Sequence, residues 1–184
     1  MNRPAISRAE IFAALAQGLE VSEILGRFSL TREDLHSLFQ EVADHYRDQE
    51  MGSWTLYCDG ASRGNPGPAG AGAVLWNPQG EPLVQVSQYL GVTTGNVAEY
   101  QALLLGLDAA LGQGAHCIQI FADSQLMVEQ LNGNYQVKSP RLFPFWERAK
   151  KALQKFKSYA ISHVDRRDNH LADRLARQAI DHHQ

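Results

Sequence analysis

Apolar residues in the first fifty positions recur at helical spacing, and the rhythm changes to that of strands at Trp54. Ser7-Arg8-Ala9-Glu10 has the form of a capping box that opens a helix running to about Gln17, where Gly18 supplies a stop. A short helix over 21–28 follows. Thr31-Arg32-Glu33-Asp34 signals another start, after which Leu35, Leu38, Phe39, Val42 and Tyr46 fall on one apolar stripe. Residues 48–53 read as a linker. The chain therefore divides into a small all-helical unit, 1–50, and a second unit, 51–184.

In the second unit, aliphatic alternation predicts strands over 54–59, 71–77 and 81–90, joined by a Gly/Pro-rich turn at 64–70 and by the tight turn Asn77-Pro78-Gln79-Gly80. Leu103, Leu104, Leu107 and Leu111 then mark a helix over 96–111. A strand at 117–122, a helix at 124–131, a basic helix at about 141–156, a strand at 159–164 and a helix at about 169–180 complete the chain. The order β-β-β-α-β-α-α-β-α predicts an α/β fold: a five-stranded mixed sheet, three strands antiparallel and then parallel crossovers, with helices on its faces.

Composition adds limits. The 184 residues are 44% hydrophobic and 20% charged, enough to bury a core. No window resembles a membrane span or a signal peptide, so a cytoplasmic location is the expectation. Cys58 and Cys117 are the two cysteines and form no C-x-x-C pair, which argues against a disulfide scaffold or a zinc ribbon. The net charge is −3, but its placement is uneven. Residues 1–50 carry five Arg against nine acids, whereas Lys138, Arg141, Arg148, Lys150, Lys151, Lys155 and Lys157 face only Glu147. That cationic stripe either contacts phosphates or is a solvated helix face.

The chemistry is suggested by four carboxylates. Asp59 ends the first strand, Glu99 lies in the first turn of the next helix, Asp123 ends the fourth strand and Asp173 lies near the start of the last helix. Neighbouring parallel strands lie about 5 Å apart, so Asp59 and Asp123 are expected side by side where strands end and helices begin. Carboxylates crowded together repel, and a divalent cation relieves the repulsion. Their hard oxygens suit Mg²⁺ or Mn²⁺ and phosphoryl transfer with two ions.

The segments Tyr57-Cys58-Asp59-Gly60-Ala61-Ser62-Arg63-Gly64-Asn65-Pro66-Gly67, Thr93-Thr94-Gly95-Asn96-Val97-Ala98-Glu99, Ala122-Asp123-Ser124-Gln125 and His163-Val164-Asp165-Arg166-Arg167-Asp168-Asn169 through Asp173 resemble, in order, those of the type 1 ribonuclease H family. The short bacterial and archaeal members are the most similar. The resemblance implies a metal-dependent endoribonuclease that hydrolyses the RNA strand of RNA/DNA hybrids, leaving 5′-phosphate and 3′-hydroxyl ends. It makes Asp59, Glu99, Asp123 and Asp173 catalytic ligands of two Mg²⁺ ions. It places Gly60, Ser62, Arg63, Asn65, Asn96 and Gln125 at the substrate. Selection of RNA requires reading the 2′-hydroxyl, which both donates and accepts hydrogen bonds.

The sequence departs from the family in two places. Many relatives carry a base-like His in a loop before the last acid; here that loop is short, with His163 and His170 as candidates. The basic helix with which larger relatives grip the hybrid is missing, and the stripe at 138–157, interleaved with Phe143, Phe145 and Trp146, could partly replace it. The acidic N-terminal unit is similar to small helix-turn-helix modules, which suit a DNA contact or a protein partner. Two alternatives remain: a nuclease of this fold with exonuclease or resolvase specificity, and a nucleic-acid-binding adaptor directed by the N-terminal helices.

Overall fold

The computed structural model describes residues 7–183, with 44–51 described as helix only. Two compact units divide between Glu50 and Met51. The first contains helices α1 (Arg8–Ala16), α2 (Val21–Arg27) and α3 (Arg32–Met51). Ile11, Ala14, Ile24, Leu35 and Leu38 form its core. The Ser7 side chain makes no capping bond to α1. Reciprocal bonds lie instead at Glu20 and Glu23, and at Thr31 and Asp34, where each side chain accepts the other's backbone N–H, at 2.8 and 3.0 Å for the second pair. Helix α3 continues through 48–51, so the expected linker contracts to Gly52 and Ser53. No Gly or Pro interrupts 32–51, and the polar run there is helix-compatible. The Tyr46 side chain, expected on the apolar stripe, lies outside the described residues.

The second unit is built on strands β1 (Trp54–Ser62), β2 (Gly67–Trp76), β3 (Pro82–Thr93), β4 (Cys117–Ala122) and β5 (Ser158–His163). Its helices are α4 (Gly95–Gly112), α5 (Gln125–Leu131), α6 (Phe143–Leu153) and α7 (His170–Asp181). The sheet order is β3-β2-β1-β4-β5. β1–β2 and β2–β3 are antiparallel, and β1–β4 and β4–β5 are parallel. This is the mixed sheet predicted from the element order. Leu56, Leu75, Ile118 and Ile120 from the sheet pack with Tyr100, Leu103 and Leu107 of α4 and Leu153 of α6 in one buried core. Among the described residues, no helix is long and apolar enough to cross a membrane.

The first hairpin is longer than the sequence suggests. β1 runs three residues past Asp59, and β2 begins at Gly67 rather than 71, because Gly60, Ala61 and Ser62 pair with Ala71, Gly70 and Ala69. The glycines of β2 read as turn residues but serve close packing. A Cβ on Gly70 would lie 2.2 Å from the Ala176 oxygen, and one on Gly72 would lie 2.1 Å from the Ala172 oxygen. The backbone of α7 therefore rests directly on β2, which only residues without side chains permit. This contact sets where α7 begins and hence where Asp173 sits.

Candidate metal and nucleic-acid site

Cys58 and Ala122 are the last paired residues of the β1–β4 ladder, so Asp59 and Asp123 emerge together just beyond it. Glu99 joins them from α4. It is the fifth helical residue rather than a first-turn residue, since the helix opens at Gly95 behind Thr94, whose side chain accepts from the Val97 N–H at 3.4 Å. Gly60 makes the approach possible: its N–H donates to Glu99 Oε2 at 3.2 Å, and the α4 backbone fills the space a Cβ would need. One carboxylate oxygen from each of Asp59, Glu99 and Asp123 lies within 4.8 Å of the others.

Burial, then the charge of Asp123, pushes the Asp59 carboxyl up to about 7. Burial, then the charge of Asp59, also raises Glu99. The buried Cys58 thiol is driven the same way by desolvation and by the acids around it. Asp59 and Glu99 thus resist ionising beside the other acids of the cluster. Asp59 Oδ2 is also buried and without a hydrogen-bond partner. An orphaned oxygen among hard donors, two of them costly to charge without a cation, fits a divalent ion of the Mg²⁺ or Mn²⁺ kind.

Asp173 stands differently. Arg166 and Arg177 hold its two oxygens, Arg166 through Oδ1 (Nε at 3.1 Å) and Arg177 through Oδ2 (Nε at 2.9 Å). Burial acts to raise its carboxyl, but the two guanidinium groups outweigh burial and lower it. The same Arg166 charge opposes the rise at Asp59 and Glu99. Asp173 lies outside the three-acid cluster but touches it electrostatically.

The acids open into a cleft of about 880 Å³ lined by residues 60–65, Gly95, Asn96, Arg166, Arg177 and Asp181. Asn65 and Asn96 face this space. Ser62 lines it, but its hydroxyl lies 2.6 Å from the Gly64 carbonyl oxygen and 3.0 Å from that of Thr93, and its one proton, donated to either, braces the loop. Arg63 pairs with Asp181 at the rim. Gln125, the first residue of α5, is exposed and lies outside the cleft lining. His163 ends β5, and the His170 ring nitrogen Nδ1 lies 3.1 Å from the Arg167 carbonyl oxygen. Neither histidine lines the cleft.

Sequence reasoning assigned no role to Arg166, Arg177 or Asn169. Arg177 was detectable, since it falls four residues after Asp173 on one helix face. Asn169 was not, because its position reads as an ordinary helix start.

Residues 57–179 match the reverse transcriptase-like family. The bifunctional protein Rv2228c of Mycobacterium tuberculosis is 44% identical over 127 residues, which cover 68% of this chain and 35% of that protein. The chain thus spans about a third of that relative's length. Ribonuclease HI of Halobacterium salinarum is 42% identical over 125 residues, or 68% of this chain and 63% of that protein. The solved RNase H1 from the same archaeon superimposes with a TM-score of 0.69 at 42% identity, covering 71% of this chain and 98% of that one. LC11-RNase H1, solved in complex with an RNA/DNA hybrid, gives 0.67 at 36% identity over 70% of this chain and 97% of that one. By its sheet topology, its acid cluster and these likenesses, the chain belongs to the reverse transcriptase-like ribonuclease H family.

Proposed function

We propose that this protein hydrolyses the RNA strand of RNA/DNA hybrids, using Asp59, Glu99, Asp123 and Asp173 to hold two Mg²⁺ ions. The observation that carries the reading is the convergence of Asp59, Glu99 and Asp123 at the floor of one polar cleft. Mg²⁺ bound there supplies activation of water and stabilisation of charge on the leaving oxygen. The carboxylates position the ions, and the raised Asp59 and Glu99 lose their protons as the site loads. Hydrolysis breaks the bond between phosphorus and the 3′-oxygen, leaving a 5′-phosphate and a 3′-hydroxyl.

The loop 60–65 and Asn96 line the path a duplex backbone would take. The Asn65 and Asn96 amides can donate and accept, which is what recognition of a ribose 2′-hydroxyl demands. Ser62 holds this loop to Thr93 and so fixes both edges of the cleft. Arg166 and Arg177 keep Asp173 ionised, ready to serve as a ligand. Residues 1–50 are a separately folding unit that contacts a protein or DNA partner, and the protein works in the cytoplasm.

The test is cleavage of end-labelled RNA/DNA hybrid, duplex DNA and single-stranded RNA, each with Mg²⁺ and with chelator. Metal-dependent cuts in the hybrid's RNA strand alone support the reading. Cleavage of duplex DNA points to a resolvase-like specificity, and binding without cleavage points to an adaptor.

A further inference from the structure

We propose that Asn169 is a positioning residue that sets the Asp123 carboxylate and the Cys58–Asp59 segment of β1 for metal binding, an inference that rests on the metal-site reading above. Asn169 occupies the N-cap position of α7, where an asparagine side chain ordinarily accepts a hydrogen bond from the first helical turn. It makes no such bond. The residue is 1% exposed, and its Nδ2 donates to the Cys58 carbonyl at 2.9 Å and to Asp123 Oδ1 at 3.1 Å. Turning the amide over would set its oxygen against two acceptors, so its orientation is fixed.

The arrangement has a cost that a simple structural pin would avoid. Asn169 Oδ1 is left buried without a partner, which is unfavourable for a polar atom. The amide nitrogen accounts for its retention. Cys58 precedes Asp59, so the bond to its carbonyl anchors one acid's strand at the last residue paired with β4. The bond to Oδ1 fixes the Asp123 rotamer and leaves Oδ2 to face a cation. The Asn169 carbonyl in turn accepts the Asp173 N–H at 3.1 Å. One residue thus joins three of the four acids, while the Gly60 N–H holds the fourth. Groups that orient a metal-binding carboxylate this way are typically worth about 10–100-fold in metal affinity or activity.

The experiment uses full-length Asn169→Ala, Asn169→Asp and Asn169→Ser. It measures Mn²⁺ binding by calorimetry without substrate, thermal unfolding, and kcat and KM on hybrid. Asn169→Asp keeps the shape but replaces the donor with oxygen; Asn169→Ser is the smallest polar change. Leu131→Ala, a core truncation in α5, serves as the destabilised control. Mn²⁺ affinity and kcat both fall about 10–100-fold in the Asn169 variants. KM for hybrid stays within about threefold, and Leu131→Ala loses thermal stability without moving Mn²⁺ affinity. The proposal is overturned if any folded Asn169 variant binds Mn²⁺ within about threefold of the wild type. It is also overturned if the control loses Mn²⁺ to the same extent. Wild-type protein that fails to cleave hybrid while the Asn169 variants still lose Mn²⁺ overturns the substrate reading and supports the role of Asn169.

Discussion

Replacing Gly60 by alanine places a Cβ 2.1 Å from the Glu99 backbone nitrogen, 2.2 Å from the Ala98 carbonyl carbon and 2.6 Å from its oxygen. All three are backbone atoms, so no side chain can rotate away. β1 and α4 must part by about 1 Å to restore ordinary contact, and overpacking of this kind typically costs about 1–3 kcal/mol. At about 2–4 °C per kcal/mol for a chain of this size, the melting temperature falls by roughly 2–12 °C. The larger effect falls on the site. The Gly60 N–H to Glu99 Oε2 bond is lost, and Glu99 moves away from Asp59 and Asp123. A misplacement of about 1 Å among reacting groups costs about 100-fold in rate. The assay is Mg²⁺-dependent hybrid cleavage, run well below the variant's melting temperature, beside thermal unfolding. Gly112→Ala is the control, since nothing lies within 4 Å of a Cβ there and its φ is ordinary; it leaves activity unchanged and stability neutral or higher. A Gly60→Ala protein with wild-type melting temperature and activity within about threefold refutes the close-approach reasoning.

Other consequences follow from the same geometry. Asp123→Asn removes a cluster oxygen's charge without changing shape, so hybrid cleavage falls at least about 100-fold while hybrid binding, measured by fluorescence anisotropy in chelator, persists. Asp59 and Glu99 hold their protons more tightly in the fold than in the unfolded chain. Their contribution to stability is therefore complete below the ordinary carboxylate range and is lost as pH rises through the raised values, about 7 for Asp59. In chelator this gives a melting temperature with a declining component toward neutral pH, which Asp59→Asn flattens and added Mg²⁺ opposes. Arg166→Ala removes a charge that restrains both acids, so the acidic limb of the cleavage profile moves to higher pH. His163 and His170 lie outside the cleft lining; alanine at either keeps the rate within about tenfold, less than the loss of a general base costs.

The sheet was legible because its signals are local and periodic. Alternation in 54–59 and 81–90, the Asn77-Gly80 turn and leucines at helical spacing in 103–111 each report one element, and their order selects the topology. The strand limits were less legible at Gly67, Gly70 and Gly72. There, glycine signals a turn when read along the chain but answers to the α7 backbone across the fold. The extended α3 shows the complementary case: the polar residues 48–50 resemble a linker along the chain, yet nothing in them stops a helix.

At the site, Asp59 and Asp123 could be placed side by side because strand ends in a parallel pair must be neighbours. Glu99 needed Gly60 to bring it in. The Arg166 arm of the clamp on Asp173 crosses a turn, and the amide of Asn169 depends on a contact between residues as far apart as 58 and 169. Only Arg177, four residues after Asp173 on the same helix, follows a spacing rule. Ser62 illustrates the opposite limit, since its position marks the cleft but its hydroxyl is engaged within the loop.

The most direct test of the account is the anomalous scattering of crystals grown with Mn²⁺. Manganese is expected between Asp59, Glu99 and Asp123, with Asp123 Oδ1 still bonded to Asn169. Crystals that keep the three carboxylates together but show no manganese among them contradict it.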